Sequence, residues 1–444
     1  MKKLKNLSPT RIIALSFAIV ILIGTVLLML PIATDKSHET TFLDALFTAI
    51  SATCVIGMSP YDIYTHWTMF GQIVILILFQ LGGLGIMSFM CMFSIFLHKK
   101  IGLQEQPLQE RLPGKSRFSG VFALLKKIFI GTFLFEAIGA IILTFAFYEE
   151  MGLKRSIYFG VFHSVSAFCN AGFDLMGFRD PFSSMTYYET NPLVCFTLMA
   201  LIVLGGLGFF VWSDVLKNKF RFNSYSLHSK IILYSALILI LIGWFFYYIF
   251  EMQGNLYNLS YPEKIMSSLF LSISTRTAGF STMDISQLSD AGLLLTMFLM
   301  FIGGGVGSTS GGIKTTTIAV LLAAIVAFIK GKKDVVIFKR KIENNTIRHA
   351  ATILIVYMTA VLGSTVLICF MDGIRLQDAL FETVAAVSTV GYSRIGVQNM
   401  GTMSRVIMMI LMYGGRIGFV SLLTMFWEQD EAAMEYPSEK IMIG

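Results

Sequence analysis

The chain has 444 residues, of which 55% are hydrophobic and only 14% are charged. Its mean hydropathy of +0.72 excludes an ordinary soluble globular protein. The formal net charge is +7, but the basic residues lie in short segments between apolar stretches, which is typical of membrane topology and argues against nucleic-acid binding.

Apolar, nearly uncharged stretches recur along the chain and predict membrane-spanning helices. They are residues 12–30, 70–97, 128–147, 193–212, 231–250, 293–302, 315–329, 350–371 and 406–427. Glycine separates the short stretches at 293–302 and 315–329, so we take them as one broken span and predict eight transmembrane helices. No cleavage site follows the basic N-terminus, so we expect the first span to be retained.

Basic residues in short loops mark the cytoplasmic side of a membrane protein. They cluster at the N-terminus and at 99–127, 217–230 and 330–348, so both termini are predicted to be cytoplasmic. Segment 330–341 is also a candidate for contact with membrane lipid head groups or a protein partner. These clusters divide the chain into four units, at residues 1–97, 98–230, 231–348 and 349–444.

Each unit contains a stretch between its two spans that is too short and too polar to cross a membrane. These stretches are 45–51, 160–166, 268–274 and 379–385, and an apolar residue stands ten positions before a loop glycine in each: Phe47, Phe162, Leu269 and Phe381. We predict that they are half-length pore helices. The predicted fold class is an all-α membrane protein in which four span–pore helix–span repeats surround one central pore with pseudo-fourfold symmetry.

A loop that ends on glycine follows each predicted pore helix. The four loops are Thr53-Cys54-Val55-Ile56-Gly57, Phe168-Cys169-Asn170-Ala171-Gly172, Thr275-Arg276-Thr277-Ala278-Gly279 and Val387-Ser388-Thr389-Val390-Gly391. The fourth loop, continued by Tyr392, nearly reproduces the Thr-Val-Gly-Tyr-Gly sequence whose carbonyl oxygens replace the hydration shell of potassium in channels. A half-helix entering from outside also directs its negative C-terminal end at the membrane centre, which favours a cation.

We therefore predict a potassium filter, with the ion bound at Gly57, Gly172, Gly279 and Gly391. Any one of these glycines alone could be a simple turn former. Four in register favour the filter.

The third unit departs from the other three, because a segment rich in glycine and hydroxyl groups interrupts its second span. Its residues are Gly303, Gly304, Gly305, Gly307, Ser308, Thr309, Ser310, Gly311 and Gly312, followed by Lys314. Such a segment cannot hold a regular helix. We predict a mobile loop that gates the pore, and a packing loop without function is the alternative. Lys314 either extends to the cytoplasmic interface or directs its charge into the vestibule.

Arg416 lies midway along the last span, where a guanidinium costs on the order of 3 kcal/mol and needs partners. We predict that it pins the gate loop, and an arginine that serves helix packing is the alternative.

Glu136 is a second intramembrane charge. Hydrogen bonding to a pore helix, with His163 as the candidate partner, is favoured over proton coupling.

Other signals have mainly structural interpretations. Arg276 is predicted to point away from the ion path, and Asp44 and Asp378 to cap the first and fourth pore helices, with attraction of cations as a further role. Glycine motifs follow each loop, at 82–85, 205–208, 304–307 and 415–418, and in the first two units close helix packing is the preferred interpretation.

No pattern typical of an enzyme is present in the sequence. The five cysteines lack metal-binding or disulfide spacing, the six histidines are scattered, and no H-E-x-x-H motif occurs. The glycine-rich segment at 303–314 resembles a phosphate-binding loop only superficially, and the chain lacks a G-x-G-x-x-G fingerprint, so no nucleotide site is predicted.

Taken in order, these motifs resemble the superfamily of potassium transporters that includes TrkH, KtrB and plant HKT proteins, and most of all the bacterial Ktr membrane subunits of the KtrB and KtrD type. The resemblance covers essentially the whole chain. It implies that Gly57, Gly172, Gly279 and Gly391 govern potassium selectivity, that residues 303–312 form the gate, and that Arg416 contacts it. Sodium-selective plant relatives carry serine for the first glycine, and this chain keeps Gly57.

The resemblance further implies a homodimer on a cytoplasmic ring of nucleotide-binding RCK subunits of the KtrA and KtrC type, with potassium as the transported ion and sodium as a possible activator. Passive or ion-gated uptake of potassium is the leading hypothesis. A sodium/potassium-coupled alternating-access carrier is the alternative, although it predicts inverted repeats, whereas all four units here begin at the basic side.

Overall fold

The computed structural model describes residues 9–35, 39–96, 117–219 and 221–425, which are predominantly helical. The helices are α1 Pro9–Leu28, α2 Phe42–Thr53, α3 Ile63–His66, α4 Met69–Phe96, α5 Arg117–Cys169, α6 Pro192–Leu207, α7 Phe209–Asn218, α8 Leu227–Phe250, α9 Tyr261–Ser274, α10 Asp290–Phe301, α11 Thr315–Ile329, α12 Asn344–Asp372, α13 Leu376–Ser388, α14 Thr402–Ile417 and α15 Phe419–Thr424. Strands β1 Val336–Ile337 and β2 Arg340–Lys341 form an antiparallel hairpin after α11. The N-terminal basic residues and most of segment 99–127 lie outside the described residues.

Several helices have the length and composition needed to cross a membrane. Among the described residues they are Thr10–Leu28, Lys126–Cys169, Leu227–Phe250 and Asn344–Asp372, and Pro192–Leu207 with Phe209–Asn218 is a further candidate bent by 94°. Large apolar side chains point outward along them; Phe370, for example, is 86% exposed. A surface of this kind is stable in lipid and not in water. The chain is therefore a multi-pass membrane protein.

The four stretches predicted as short polar helices are helical. Three are α2, α9 and α13, and the second is the end of α5, which follows a kink at Gly152 with φ 69° and ψ 166°. α2 packs between α1 and α4, α9 packs on α8, and α13 packs between α12 and α14. Contacts between neighbouring units join α4 to α5, α6 to α9, α10 to α13 and α14 to α2, so the four short helices surround a common centre.

The predicted register of these short helices is wrong in the third unit. Phe47, Phe162 and Phe381 are fully buried, but Leu269 is only partly buried, and Phe270 takes the buried place. The backbone explains the shift.

In the other units the residue before the glycine donates its N–H to a carbonyl five residues back, as Ile56 does to Ser51 at 2.9 Å. In the third unit Ala278 donates to Ser274, four residues back, at 2.9 Å. The stretch from the buried phenylalanine to the glycine is thus one residue shorter in the third unit than in the others.

Asp44 and Asp378 do not cap their helices, contrary to the prediction. The N-cap of α2 is Thr41, and both carboxylates lie in the first helical turn, where each pairs with an arginine from a distant segment. Arg405 Nη1 lies 2.8 Å from Asp44, and Arg394 Nη1 lies 2.9 Å from Asp378. These pairs tie the start of α2 to the first turn of α14, and the start of α13 to the segment between α13 and α14.

Replacing Asp44 by Asn is therefore expected to destabilise the fold. The side chain of Asp44 is 5% exposed and also accepts hydrogen bonds from Thr41 and Tyr61, so loss of its charge should cost about 2 kcal/mol. A lower melting temperature in detergent would show this effect. The control is Lys341→Gln, which breaks the exposed pair with Asp334 and should change little; equal shifts in both variants would contradict the prediction.

Candidate functional site

The four loop glycines lie next to one another in a closed ring. A Cβ atom placed on Gly57 would lie 3.0 Å from Cα of Gly172, and one on Gly172 would lie 3.3 Å from Cα of Gly279. One on Gly279 would lie 2.8 Å from Cα of Gly391, and one on Gly391 would lie 3.1 Å from Cα of Gly57. The four loops, far apart in sequence, thus meet at one place in cyclic order.

Backbone carbonyl oxygens of Ile56, Ala171 and Ala278, each the residue before a loop glycine, lie against this ring. The oxygen of Ala171 would lie 2.5 Å from a Cβ on Gly57, and that of Ala278 2.5 Å from a Cβ on Gly172. The oxygen of Ile56 lies near the same position on the other three glycines, 2.6 Å in the case of Gly391. Any side chain on these glycines would collide with these carbonyl oxygens. Carbonyl oxygens are suitable ligands for a dehydrated alkali cation.

A second backbone feature repeats in all four loops. The residue two positions before each glycine is left-handed, with φ of 59° at Val55, 57° at Asn170, 82° at Thr277 and 56° at Thr389. A β-branched residue with such an angle is an outlier that stores roughly 1–3 kcal/mol of strain. The surrounding packing must therefore enforce the conformation, which turns successive carbonyl groups of each loop in a defined direction.

Side chains from outside the ring hold the loops in place. The hydroxyl of Tyr392 donates to the carbonyl of Phe280 in the neighbouring loop at 2.7 Å, and that of Tyr247 lies 3.2 Å from Thr275 Oγ1. Arg276 donates to the carbonyl of Ala236 on α8 at 3.3 Å, so its guanidinium points away from the ring, as predicted.

The glycine motifs after the loops have two structural roles. In each of the first, second and fourth units, the first glycine of the motif packs so closely on a loop carbonyl that a Cβ would overlap the oxygen: Gly82 on Thr53, Gly205 on Phe168 and Gly415 on Val387. The last glycine of every motif is left-handed, with φ of 58° at Gly85, 94° at Gly208, 73° at Gly307 and 98° at Gly418.

The glycine motifs therefore do more than allow close helix packing, because their last glycine also bends the helix. A break in the helix was predicted only for the third unit, yet the helices of the other units also bend at the last glycine. A left-handed residue ends the regular run of helical hydrogen bonds and frees the preceding carbonyls.

Replacing Gly205 by Ala is expected to displace the second loop, because the added methyl group would overlap the carbonyl oxygen of Phe168. We expect a lower melting temperature and reduced cation binding by the purified protein. Gly363→Ala in α12 is the matched control, since a Cβ there has no neighbour within 4 Å. A Gly205→Ala protein that matches this control would refute the close contact.

The segment predicted as a gate is non-helical between α10 and α11, as expected from its glycines. It closes on itself where Gly303 N donates to Ile313 O at 2.8 Å. It docks into the bend between α6 and α7: Gly305 N donates to Gly206 O at 2.9 Å, and Phe209 N donates to Gly307 O at 3.0 Å. The kink at Gly208 therefore supplies the groups that bind the segment.

Residues 309–311 of this segment contact two of the glycine loops directly. Thr309 Oγ1 donates to the carbonyl of Phe168 at 3.2 Å, and Gly311 N donates to Thr389 Oγ1 at 3.1 Å. The side-chain amide of Asn170 lies 3.0 Å from Ser310 Oγ. The segment thus lies against the base of the second and fourth loops.

The remaining polar groups of the segment bond within it. Ser308 Oγ donates to the carbonyl of Gly305 at 2.6 Å, and Lys314 Nζ donates to the carbonyl of Ser310 at 2.6 Å. Lys314 is thus bonded to the backbone of the segment itself, an arrangement that neither of the two predicted positions describes.

Arg416 joins three of the four units. It is 7% exposed, and its guanidinium donates to the carbonyls of Thr309 in the segment and Gly82 on α4. The predicted contact between Arg416 and the segment is present, and the second contact with Gly82 was not anticipated.

Glu136 is hydrogen-bonded to the short helix of the second unit, as predicted, but the partner is Ser164 and not His163. Its carboxylate accepts from Gln80 Nε2 at 3.1 Å, and its backbone carbonyl accepts from Ser164 at 2.6 Å. His163 instead bonds to the backbone of Phe159 and Leu175.

The sequence profile of the TrkH family, described as a cation transport protein, matches residues 4–435. The chain belongs to the TrkH family. It is 36% identical over 448 residues to the potassium/sodium uptake protein NtpJ of Enterococcus hirae, covering 99% of this chain and 98% of that protein. It is also 36% identical over 439 residues to the Ktr system potassium uptake protein B of Bacillus subtilis, covering 98% and 97%.

Membership of the TrkH family agrees with the fold. The crystal structure of the potassium transporter TrkH from Vibrio parahaemolyticus superposes with a TM-score of 0.72 at 16% identity, covering 93% of this chain and 85% of that one. The resemblance inferred from the motifs is confirmed, and the family consists of cation transporters.

Proposed function

We propose that this TrkH-family protein takes up potassium across the bacterial plasma membrane, through a filter formed by its four glycine loops. The observation that carries the proposal is the ring of Gly57, Gly172, Gly279 and Gly391, with backbone carbonyl oxygens close against it. The names of the Bacillus subtilis relatives, Ktr system potassium uptake proteins B and D, support potassium as the ion.

The transmembrane arrangement that fits this function has eight spans in four repeats with the boundaries given above. The pairs of spans would be α1 with α4, the first part of α5 with α6, α8 with the broken α10 and α11, and α12 with α14. The packing of each short helix against spans of its own and a neighbouring unit supports this arrangement.

The glycine-rich segment at 303–312 acts as the gate in this proposal. Its contacts with the second and fourth loops and with Arg416 support this role, because they hold a loop without helical structure against the proposed filter. Non-helical backbone is acceptable at such depth where protein buries it or where it lines water. Displacement of the segment would open the pathway.

Regulation is proposed to come from a cytoplasmic RCK ring that binds a homodimer of this chain. The word system in the names of the Ktr relatives points to more than one component. The exposed basic residues Lys332, Arg340 and Lys341 near the β-hairpin offer a contact surface for the ring or for lipid head groups. The nucleotide would bind to the ring.

Growth of a bacterium that lacks its own potassium-uptake systems tests the proposal. Expression of the chain should restore growth at low potassium, and co-expression with an RCK subunit should change the rate of uptake. Normal expression in the membrane without restored growth, with or without the RCK subunit, would contradict potassium uptake.

A second candidate function is a sodium/potassium-coupled carrier, which is suggested by the name of the relative NtpJ because that name includes sodium. The carrier must move sodium together with potassium, whereas the filter can pass potassium alone. Potassium flux in liposomes that is driven by membrane potential in the absence of sodium favours the filter, and flux that stops without a sodium gradient favours the carrier.

A further inference from the structure

The buried carboxylate of Glu136 has no role in the proposed filter or gate, although it lies beside the second glycine loop. Its side chain belongs to α5 and is 4% exposed. Among the described residues no lysine or arginine pairs with it. Removing a carboxyl group from water costs free energy unless hydrogen bonds satisfy it, so the stability of Glu136 at this place depends on its hydrogen bonds.

Three side chains from three segments meet at this point. Gln80 of α4 donates its amide hydrogen to Glu136 Oε2 at 3.1 Å, and its amide oxygen accepts from the thiol of Cys169 at 3.2 Å. Sγ of Cys169 also lies 3.9 Å from Glu136 Oε1. Gln80 and Glu136 therefore hold Cys169 from two sides, and we call these three residues the Gln80 clamp.

The clamp acts on the second glycine loop close to the ring. Cys169 stands three positions before Gly172, and Ala171, whose carbonyl faces Gly57, lies between them. Gly83 leaves room for the thiol, since a Cβ there would lie 2.5 Å from Sγ. A shift of Cys169 would consequently move a carbonyl group of the ring.

The backbone of Glu136 is fixed to the same loop. Its carbonyl accepts from Ser164 at 2.6 Å, in the short helix that leads into the loop. The matching residues in other units are different: Val203 stands at the position of Gln80 in the second unit, and Tyr413, which bonds to Ala14, in the fourth. Among the described residues of the second and fourth units, no amide stands at the position of Gln80.

We propose that Glu136, acting through Gln80 and Cys169, is a positioning residue that sets how well the filter distinguishes potassium from the smaller sodium ion. The inference rests on the proposed function. A filter that distinguishes the two ions by size must not contract around sodium, and the clamp restrains one of its four walls.

The test measures the ratio of potassium to sodium transport by purified protein in liposomes, because general damage lowers both fluxes and leaves their ratio unchanged. Glu136→Leu should reduce the preference for potassium about tenfold, the change expected for loss of a hydrogen bond to a buried group. Glu136→Gln retains an oxygen that accepts from Gln80 and should stay within about twofold of the wild type. Thr132→Val, one helical turn earlier in α5, alters a buried hydroxyl with no hydrogen-bond partner among the described residues, and it should preserve the ratio.

Cys169→Ala provides the same test without a cavity in the span, so the inference does not depend on Glu136→Leu folding. It should lower the ratio, and adding Glu136→Leu to it should have little further effect, because the loop is already released. A wild-type ratio in Cys169→Ala or in a folded Glu136→Leu protein overturns the inference, as does a loss in Glu136→Gln equal to that in Glu136→Leu. If the wild type itself shows no preference for potassium, the proposed function fails instead.

Discussion

Serine in place of Gly57 or Gly391 is expected to reduce the preference for potassium over sodium about tenfold or more, equivalent to about 1.4 kcal/mol of differential binding. At Gly391 a Cβ would lie 2.6 Å from the carbonyl oxygen of Ile56, so the hydroxymethyl group would displace an oxygen that serves as a cation ligand in the proposed filter. At Gly57 the φ of 100° adds backbone strain to the same collision. Gly57→Ser should therefore also lower the melting temperature, whereas Gly391→Ser should act mainly on selectivity.

The measurement is competition between rubidium, potassium and sodium in liposomes that contain the purified variants. Gly363→Ser is the matched control, because a side chain at this position of α12 meets no neighbour within 4 Å. Wild-type competition in a folded Gly391→Ser protein would argue against the filter.

Replacing Arg416 by Gln is expected to raise the basal flux of potassium in the absence of any regulatory subunit. The substitution removes charged hydrogen bonds to the carbonyls of Thr309 and Gly82, which hold the glycine-rich segment in place beside the proposed filter. It also removes a buried charge that costs on the order of 3 kcal/mol in a membrane, so folding should survive. Deletion of residues 305–310, which takes away the acceptor at Thr309, should have the same effect.

Arg179→Gln is the control for loss of an arginine, since its ion pair with Glu150 is exposed and lies apart from the segment. Unchanged or reduced flux in an Arg416→Gln protein that is present in the membrane at wild-type amounts would show that Arg416 does not hold the pathway shut.

Much of the fold could be predicted from the sequence because it depends on local composition. Long apolar stretches form helices inside a membrane, so the spans were predictable. The glycines at 303–312 cannot continue a helix, so the break between α10 and α11 was predictable as well. The four short helices were also predicted, but the buried residue of the third one was wrong. Leu269 was chosen on the assumption that the buried residue stands equally far from the glycine in all four units. In the third unit Ala278 bonds to Ser274 and the spacing is one residue shorter, which the sequence pattern does not encode.

Other features depend on contacts between distant residues. Val55 and Thr389 have left-handed backbone angles, a conformation that β-branched residues disfavour. The packing of the loops imposes this conformation, so it could not be predicted from the residue types. Glycine in an apolar span indicates close packing as readily as a bend, which is why the kinks at Gly85, Gly208 and Gly418 were not predicted. The partners of Asp44 and Glu136 could not be read from spacing, since Arg405 and Gln80 belong to other units.

The most direct test of the central claim is uptake of rubidium by the purified chain in liposomes under an inward-directed membrane potential, with potassium or sodium as competitor. The four-loop filter predicts that potassium competes at concentrations about tenfold or more below those of sodium. Equal competition by the two ions would contradict it.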